Sequence, residues 1–347
     1  GLLALTSECV KHWDSLNDAF VSVGVPGRKA VHSVILMEFC RGISPECSAD
    51  LMRPLVEFKD QLVSFARERI AQSLDNQSVE YPRYVRVNTL TAQPDIVMSE
   101  LQTRYASASW DCILPNVIVL PARTNLTRDK LYILGQIVLQ DRASCLPAIA
   151  LDVPKGAVVL DACAAPGNKT TQLAALVGAS GRVYAFERDQ KRFKILQYMI
   201  DKHDCSSIVR ATHADFLATN PADFADVEYI LVDPSCSGSG IPGLSEAVSN
   251  ERLKSLHNFQ CTILRHAMRF PNVRRISYST CSIHREENED VVADVLAIES
   301  RFSLARQPLT QWPRRGITSH DFAPCVIRCD PELDNTHGFF VAIFERK

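Results

Sequence analysis

From about residue 150 onward, short apolar runs alternate with segments whose apolar residues recur every three to four positions. That rhythm of strand then helix calls for a parallel sheet covered on both faces. The candidate strands are 157–163 (AVVLDAC), 182–187 (RVYAFE), 207–212 (SIVRAT), 227–233 (VEYILVD), 274–280 (RRISYST) and 338–345 (GFFVAIFE). Between them the periodicity predicts helices over 169–178, 189–203, 250–270 and 284–298. The last carries Glu286, Glu287 and Glu289 in its first turns, where a helix dipole favours negative charge. Upstream, residues 1–75 read as helical and break at 75–82 (DNQSVEYP). The strand-like 83–90 (RYVRVNTL) and 113–120 (ILPNVIVL) follow, predicting a small α+β module of about 65 residues before the sheet.

In an open α/β sheet, ligands bind beyond the carboxyl ends of the strands, and the loop after the first strand is the usual cradle. Here that loop is DACAAPGNKT, 161–170. A dinucleotide fingerprint needs three spaced glycines, whereas this loop has only Gly167. A phosphate-cradling P-loop needs glycine directly before lysine, and Asn168 intervenes. What remains is a run of small residues, Ala162, Ala164, Ala165 and Gly167, that lets a ligand approach the backbone without offering a phosphate nest. S-adenosylmethionine suits such a loop. Glu187, at the end of the second strand, can take two ribose hydroxyls through its two oxygens. Asp215, after the third, is placed to accept from an adenine amino group.

Two cysteines end apolar runs in comparable positions: Cys236 in YILVDPSCSG and Cys281 in ISYSTCSI. Neighbouring parallel strands would bring both to the edge that holds the cofactor loop. A lone cysteine is usually a small buried hydrophobe. That reading accounts neither for the hydroxyl-rich flanks nor for the shared position. Carbon 5 of a pyrimidine is too weak a nucleophile to take a methyl group from a sulfonium directly. A thiolate adding to carbon 6 activates it, with a carboxylate such as Asp233 meeting charge at ring nitrogen 3. A base must later remove the carbon 5 proton so that the thiol can leave. The thiolate needs a lowered pKa, expected from Lys169 or from the N-terminus of the 284–298 helix. This chemistry leaves open which cysteine attacks.

The net charge of −2 does not announce a nucleic-acid binder, although local arginine clusters such as Arg83 with Arg86 and Arg274 with Arg275 could line a groove. No run is long and apolar enough to span a membrane, and the N-terminus lacks the zones of a signal peptide, which reads as an intracellular protein. Twelve cysteines without regular spacing read as mostly reduced. Cys325, Cys329 and His337 come nearest to a zinc pattern but lack a second pair, so no metal is expected.

Taken together, DACAAPGNKT, Glu187, DFL at 215–217, LVDPSCSGSG and YSTCS followed by EENEDVV resemble the Sun family (Fmu/Nol/Nop/Sun) of RNA cytosine carbon-5 methyltransferases. The resemblance covers about residues 80–347, with VRVNTL matching in the small module. The serine in DPSC, the SGSG tail and YSTCS most resemble the family's member-five branch, which modifies large-subunit ribosomal RNA. The resemblance implies a class I S-adenosylmethionine-dependent methyltransferase, Rossmann-like with a mostly parallel seven-stranded sheet, over 149–347. It also implies an RRM-like α+β domain over 76–148, after the helical segment 1–75. By the same resemblance Cys281 is the nucleophile and Cys236 assists release of the product; Asp233 and Lys169, from the chemistry above, complete the catalytic set. Cys163, Ala164, Ala165, Pro166, Gly167, Asn168 and Lys169 match the family's S-adenosylmethionine contacts, as do Glu187, Arg192, Asp215 and Asp233. The partner implied is rRNA or pre-ribosomal particles in the nucleolus of the nucleus, acted on by a monomer without a membrane. The alternatives are the same chemistry on tRNA, or an assembly factor that keeps the fold to hold RNA. The loop 237–250 is short before its helix, a departure that bears on substrate range and not on reaction type.

Overall fold

The computed structural model describes residues 81–242 and 248–347. The helical segment expected over 1–75 therefore lies outside the described residues, as do the first residues of the expected 76–148 domain.

The small module runs β1 (Arg83–Val87), α1 (Pro94–Arg104), β2 (Ser109–Trp110), β3 (Val117–Leu120), α2 (Lys130–Ile133) and β4 (Ile137–Leu139). Its strands lie in the order β2-β3-β1-β4, every pair antiparallel. This is a βαββαβ connectivity. Val85, Val87, Ile118 and Ile137 pack on one face with Val97 and Leu101 of α1. The opposite face differs from that of an RNA-reading RRM, which leaves its sheet aromatics open to stack bases. Here Tyr84 and Arg86 are buried. The Tyr84 hydroxyl donates to the carbonyl of Asn335 at 2.7 Å, and Arg86 donates to Gln140 at 2.8 Å and to the hydroxyl of Thr171 at 2.9 Å. The sheet face is thus a packing surface against the larger domain.

The larger part follows as α3 (Arg142–Ala150), β5 (Val158–Asp161), α4 (Asn168–Val177), β6 (Arg182–Glu187), α5 (Gln190–Lys202), β7 (Val209–His213) and β8 (Tyr229–Val232). It closes with α6 (Asn250–Ala267), β9 (Arg275–Thr280), α7 (Glu289–Ile298), β10 (Phe302–Leu304), β11 (Val326–Cys329), α8 (Pro331–Asp334) and β12 (Phe339–Arg346). The strand order is β10-β12-β9-β8-β5-β6-β7, with β11 also paired to β12. Strands β5 to β9 pair parallel, and β12 returns antiparallel to β9. The sheet has eight strands, one more than expected: β10 and β11, three and four residues long, both pair along β12. Runs that short carry no readable period.

Buried strands such as β8 (YILV) are apolar on both faces because helices cover both. Leu160, Ile230 and Val232 point into one layer with Ile263, Phe270 and Val291, while Val159 and Leu231 point into the other with Leu173 and Leu196. Register then fixes the functional edge. Asp161 lies opposite Leu231, and Val232 lies opposite Tyr278, so the loops after β5, β8 and β9 leave the sheet side by side.

The helix expected over 284–298 is broken. Residues Arg285–Glu287 form a 3-10 turn, and α7 starts only at Glu289. Its acids are not a solvated dipole cap, because Glu287 and Glu289 are fully buried and each is held by specific donors.

Candidate active site

Strand β5 ends in the buried carboxyl of Asp161, which accepts from the Thr170 hydroxyl at 2.8 Å and from the Cys163 amide at 3.4 Å. Burial raises its pKa to about 7. Those bonds fold the loop back onto the start of α4. Gly167 caps that helix at φ +114°, and a Cβ there would meet the Met199 Cβ at 3.0 Å, so the position needs glycine both for its backbone and for helix packing.

The loop forms one wall of a cavity of about 550 Å³. Cys163, Ala165 and Pro166 face it, with Glu187, Arg192, Asp215, Asp233, Cys236 and Cys281 around the rest. Ala164, Gly167, Asn168 and Lys169 are not in the wall. The Ala164 amide instead donates to the Phe186 carbonyl at 2.9 Å, and the Asn168 carbonyl accepts from Arg86 at 3.2 Å. Burial and neighbouring carboxylates push the Cys163 thiol up, which suits a wall and not a nucleophile.

Glu187 accepts from the Asp189 amide at 2.8 Å, and its other oxygen lies 3.5 Å from Arg192. Arg192 also donates to the Ala165 carbonyl at 2.6 Å, tying the β6 end to the loop. Both Glu187 oxygens keep lone pairs for a diol. Asp215, which also lines the cavity, accepts from the Leu217 amide at 2.9 Å. Phe186, Phe216, Phe259 and Ile263 supply apolar surface that the sequence reading did not single out. Apolar rings for a base, a buried carboxylate for a ribose and acids for a sulfonium together fit S-adenosylmethionine.

At the other end of the cavity the two cysteines meet: Cys236 Sγ lies 3.1 Å from Cys281 Sγ. A proton shared from Cys236 holds the Cys281 thiol below the ordinary thiol range, with the Lys169 cation adding to the effect and burial and Asp233 opposing it. The same bond, with burial, holds the Cys236 thiol well above that range. Lys169 pairs with Asp233 at 2.7 Å and donates to the Ser144 hydroxyl at 3.1 Å. Ser279 donates to the other Asp233 oxygen at 2.6 Å. Of the two sources of ionisation expected, only the lysine is in place. The helix start at Glu289 is eight residues past Cys281, and the intervening Glu287 serves the neighbouring loop.

That loop is pinned at three points. Ser237 donates its amide to Glu287 at 2.9 Å, Gly240 donates its amide to the Cys281 carbonyl at 2.9 Å, and the Gly240 carbonyl accepts from the Gly338 amide at 2.8 Å. A Cβ on Gly240 would sit 2.0 Å from the Gly338 carbonyl oxygen, so backbone meets backbone here. Ser144 and Ser279 were not singled out in the sequence, and Glu287 was read there only as charge at a helix start. Ser279 was within reach, since it shares a strand face with Cys281 by the period of two.

A doubly covered sheet reversed at its last strand, with a small-residue loop and an acid after the second strand, defines the class I methyltransferase fold. The model of the family described as "16S rRNA methyltransferase RsmB/F" matches residues 148–345, and the chain belongs to that family. It is 40% identical over 302 residues to a 28S rRNA (cytosine-C(5))-methyltransferase of Mus musculus, covering 79% of this chain and 64% of that one. It is 43% identical over 282 residues to the 25S rRNA (cytosine-C(5))-methyltransferase NSUN5 of Arabidopsis thaliana, covering 76% of this chain and 49% of that one. The chain thus spans about half to two thirds of the length of these relatives. Among solved structures, a methyltransferase homolog from Pyrococcus horikoshii superposes with a TM-score of 0.67 at 22% identity, covering 96% of this chain and 99% of that one. This supports the fold.

Proposed function

We propose that the protein is an RNA cytosine carbon-5 methyltransferase acting on large-subunit rRNA in the nucleolus. The observation that carries the chemistry is the thiol pair at 3.1 Å, set beside the Lys169–Asp233 pair at the mouth of a cavity suited to S-adenosylmethionine. The cytosine must leave its stack to reach it. The Cys281 thiolate forms a bond to carbon 6, and the displaced ring electrons gather toward nitrogen 3, beside Asp233 and its lysine. Bound S-adenosylmethionine supplies the methyl group to the activated carbon 5. A base then takes the carbon 5 proton, the pair returns to the ring, and the sulfur–carbon 6 bond breaks. Cys236, in contact with the leaving sulfur, assists that release.

The rRNA assignment rests on the names of the relatives, which describe large-subunit rRNA methyltransferases. The described residues divide in this reading into an α+β domain ending near 148 and a catalytic domain from 149. The enzyme works as a monomer on rRNA or pre-ribosomal particles. Purified protein should form 5-methylcytosine in deproteinised large-subunit rRNA and not in tRNA. Signal on tRNA alone overturns the substrate assignment and leaves the chemistry standing.

Lys169→Met tests the electrostatics. Without the cation, and with Asp233 unpaired, the acid limb of the methyl-transfer pH–rate profile should rise by about one unit. An unmoved limb would show that Lys169 has no part in ionising Cys281.

A further inference from the structure

On the side of the domain where α6 packs against α7, three metal-binding side chains converge that the catalytic reading does not use. His257 and Cys261 are one turn apart on α6, and Asp294 faces them from α7. Their ligand atoms all lie within 4.8 Å of one another. We propose that His257 Nε2, Cys261 Sγ and Asp294 form a zinc site that staples α6 to α7.

The geometry fixes the tautomer. His257 Nδ1 sits 2.7 Å from the Glu286 carbonyl oxygen, which can only accept, so Nδ1 carries the proton. Nε2 then presents a lone pair, yet it lies 3.0 Å from the Asp294 carboxylate oxygen, another acceptor. Two acceptors at that distance require a cation between them, a second imidazole proton or a metal. The Cys261 sulfur, 3.6 Å from the same nitrogen, adds the third ligand atom that a metal would use and an ion pair would not. Zinc bonds of about 2.0 Å to nitrogen and oxygen and about 2.3 Å to sulfur put neighbouring tetrahedral ligands about 3.3 to 3.6 Å apart. The nitrogen–sulfur pair already has that spacing. The nitrogen–oxygen pair needs to open by about 0.3 Å. A backbone carbonyl orienting the far nitrogen of a ligating histidine is the usual outer support of such a site. A nitrogen, thiolate and carboxylate set is borderline in softness and suits zinc over magnesium or calcium. Burial, with Asp294 nearby, raises the Cys261 thiol to about 11, so binding zinc releases its proton. Three protein ligands leave the fourth position to water, on the exposed Asp294 side.

The staple also reaches the catalytic loop. Glu286 precedes Glu287, whose carboxylate holds the amide next to Cys236 and accepts from Gln260 of the same α6 at 2.9 Å. Zinc would therefore steady the support of the Cys236 loop.

The test is a titration of fully reduced, metal-stripped full-length protein with zinc by calorimetry and with cobalt by absorption. One equivalent should bind, giving the near-ultraviolet thiolate-to-cobalt band, and zinc should raise the melting temperature. Cys261→Ser should abolish the band, and His257→Ala should weaken that equivalent at least about tenfold, since even outer-shell changes cost that much. Without metal, Cys261→Ser should melt as the parent does, which separates lost binding from lost folding. A cobalt band unchanged in Cys261→Ser overturns the site. So does the absence of any one-to-one binding, which would leave an ordinary histidine–aspartate ion pair.

Discussion

Cys281→Ala protein should lose methyl transfer by on the order of 10⁴-fold or more, the scale on which removing a covalent nucleophile acts. It should bind S-adenosylmethionine as the parent does, because the ribose and base walls lie at the far end of the cavity, at Glu187, Asp215 and Phe216. Folding is spared for a specific reason. The main-chain carbonyl of residue 281 accepts from Gly240, and that bond survives truncation of the side chain. The strand beneath also keeps its pairing to β12, with Thr280 opposite Phe340. Single-turnover methylation of RNA, with cofactor affinity measured separately by calorimetry, checks both halves. A residual rate within tenfold of the parent would mean that Cys281 does not form the bond to carbon 6.

Glu289→Ala should destabilise the protein by about 3–5 kcal/mol, the range for removing one partner of a buried ion pair. Glu289 is fully buried and accepts from Arg328 with both oxygens, at 2.7 and 2.6 Å, and from the Ile317 amide at 3.1 Å. Truncation strands the Arg328 cation, whose side chain is only 16% exposed and which keeps only the Ile283 carbonyl at 3.0 Å and the Phe340 ring at 5.9 Å. The damage would spread, since the pair joins the start of α7 to β11 and so to the edge of β12. Urea unfolding is the measurement, with the slope expected to stay near the parent's. Glu289→Ala/Arg328→Met, which removes both charges, should recover part of the loss. A loss below about 1 kcal/mol for the single change would place this pair with exposed ones.

The acids after Cys281 show where sequence reasoning stopped. EENED reads as a charged helix start, and period analysis gives no reason to bury it. The structure buries Glu287 and Glu289 because their partners, the Ser237 amide and Arg328, come from segments 50 and 39 residues away. No local pattern signals contacts of that separation. The sheet was legible for the opposite reason. Strands such as YILV and RVYAFE, closed by Asp233 and Glu187, carry their burial and their functional ends in a few consecutive residues. The pairing of Cys236 with Cys281 was also within reach, because parallel neighbours in register must end together. The buried face of the small module was not. Tyr84 and Arg86 alternate as they would on a solvent-facing sheet, and only the packing partners Asn335 and Thr171 show otherwise.

The central claim is that Cys281 attacks and Cys236 releases. The direct measurement is denaturing electrophoresis of each variant after incubation with S-adenosylmethionine and substrate RNA. Cys236→Ala should accumulate a covalent protein–RNA species that survives denaturation, because carbon 6 stays bonded to Cys281 when release stalls. Cys281→Ala should give none. An adduct in Cys281→Ala and none in Cys236→Ala would contradict the assignment of the two thiols.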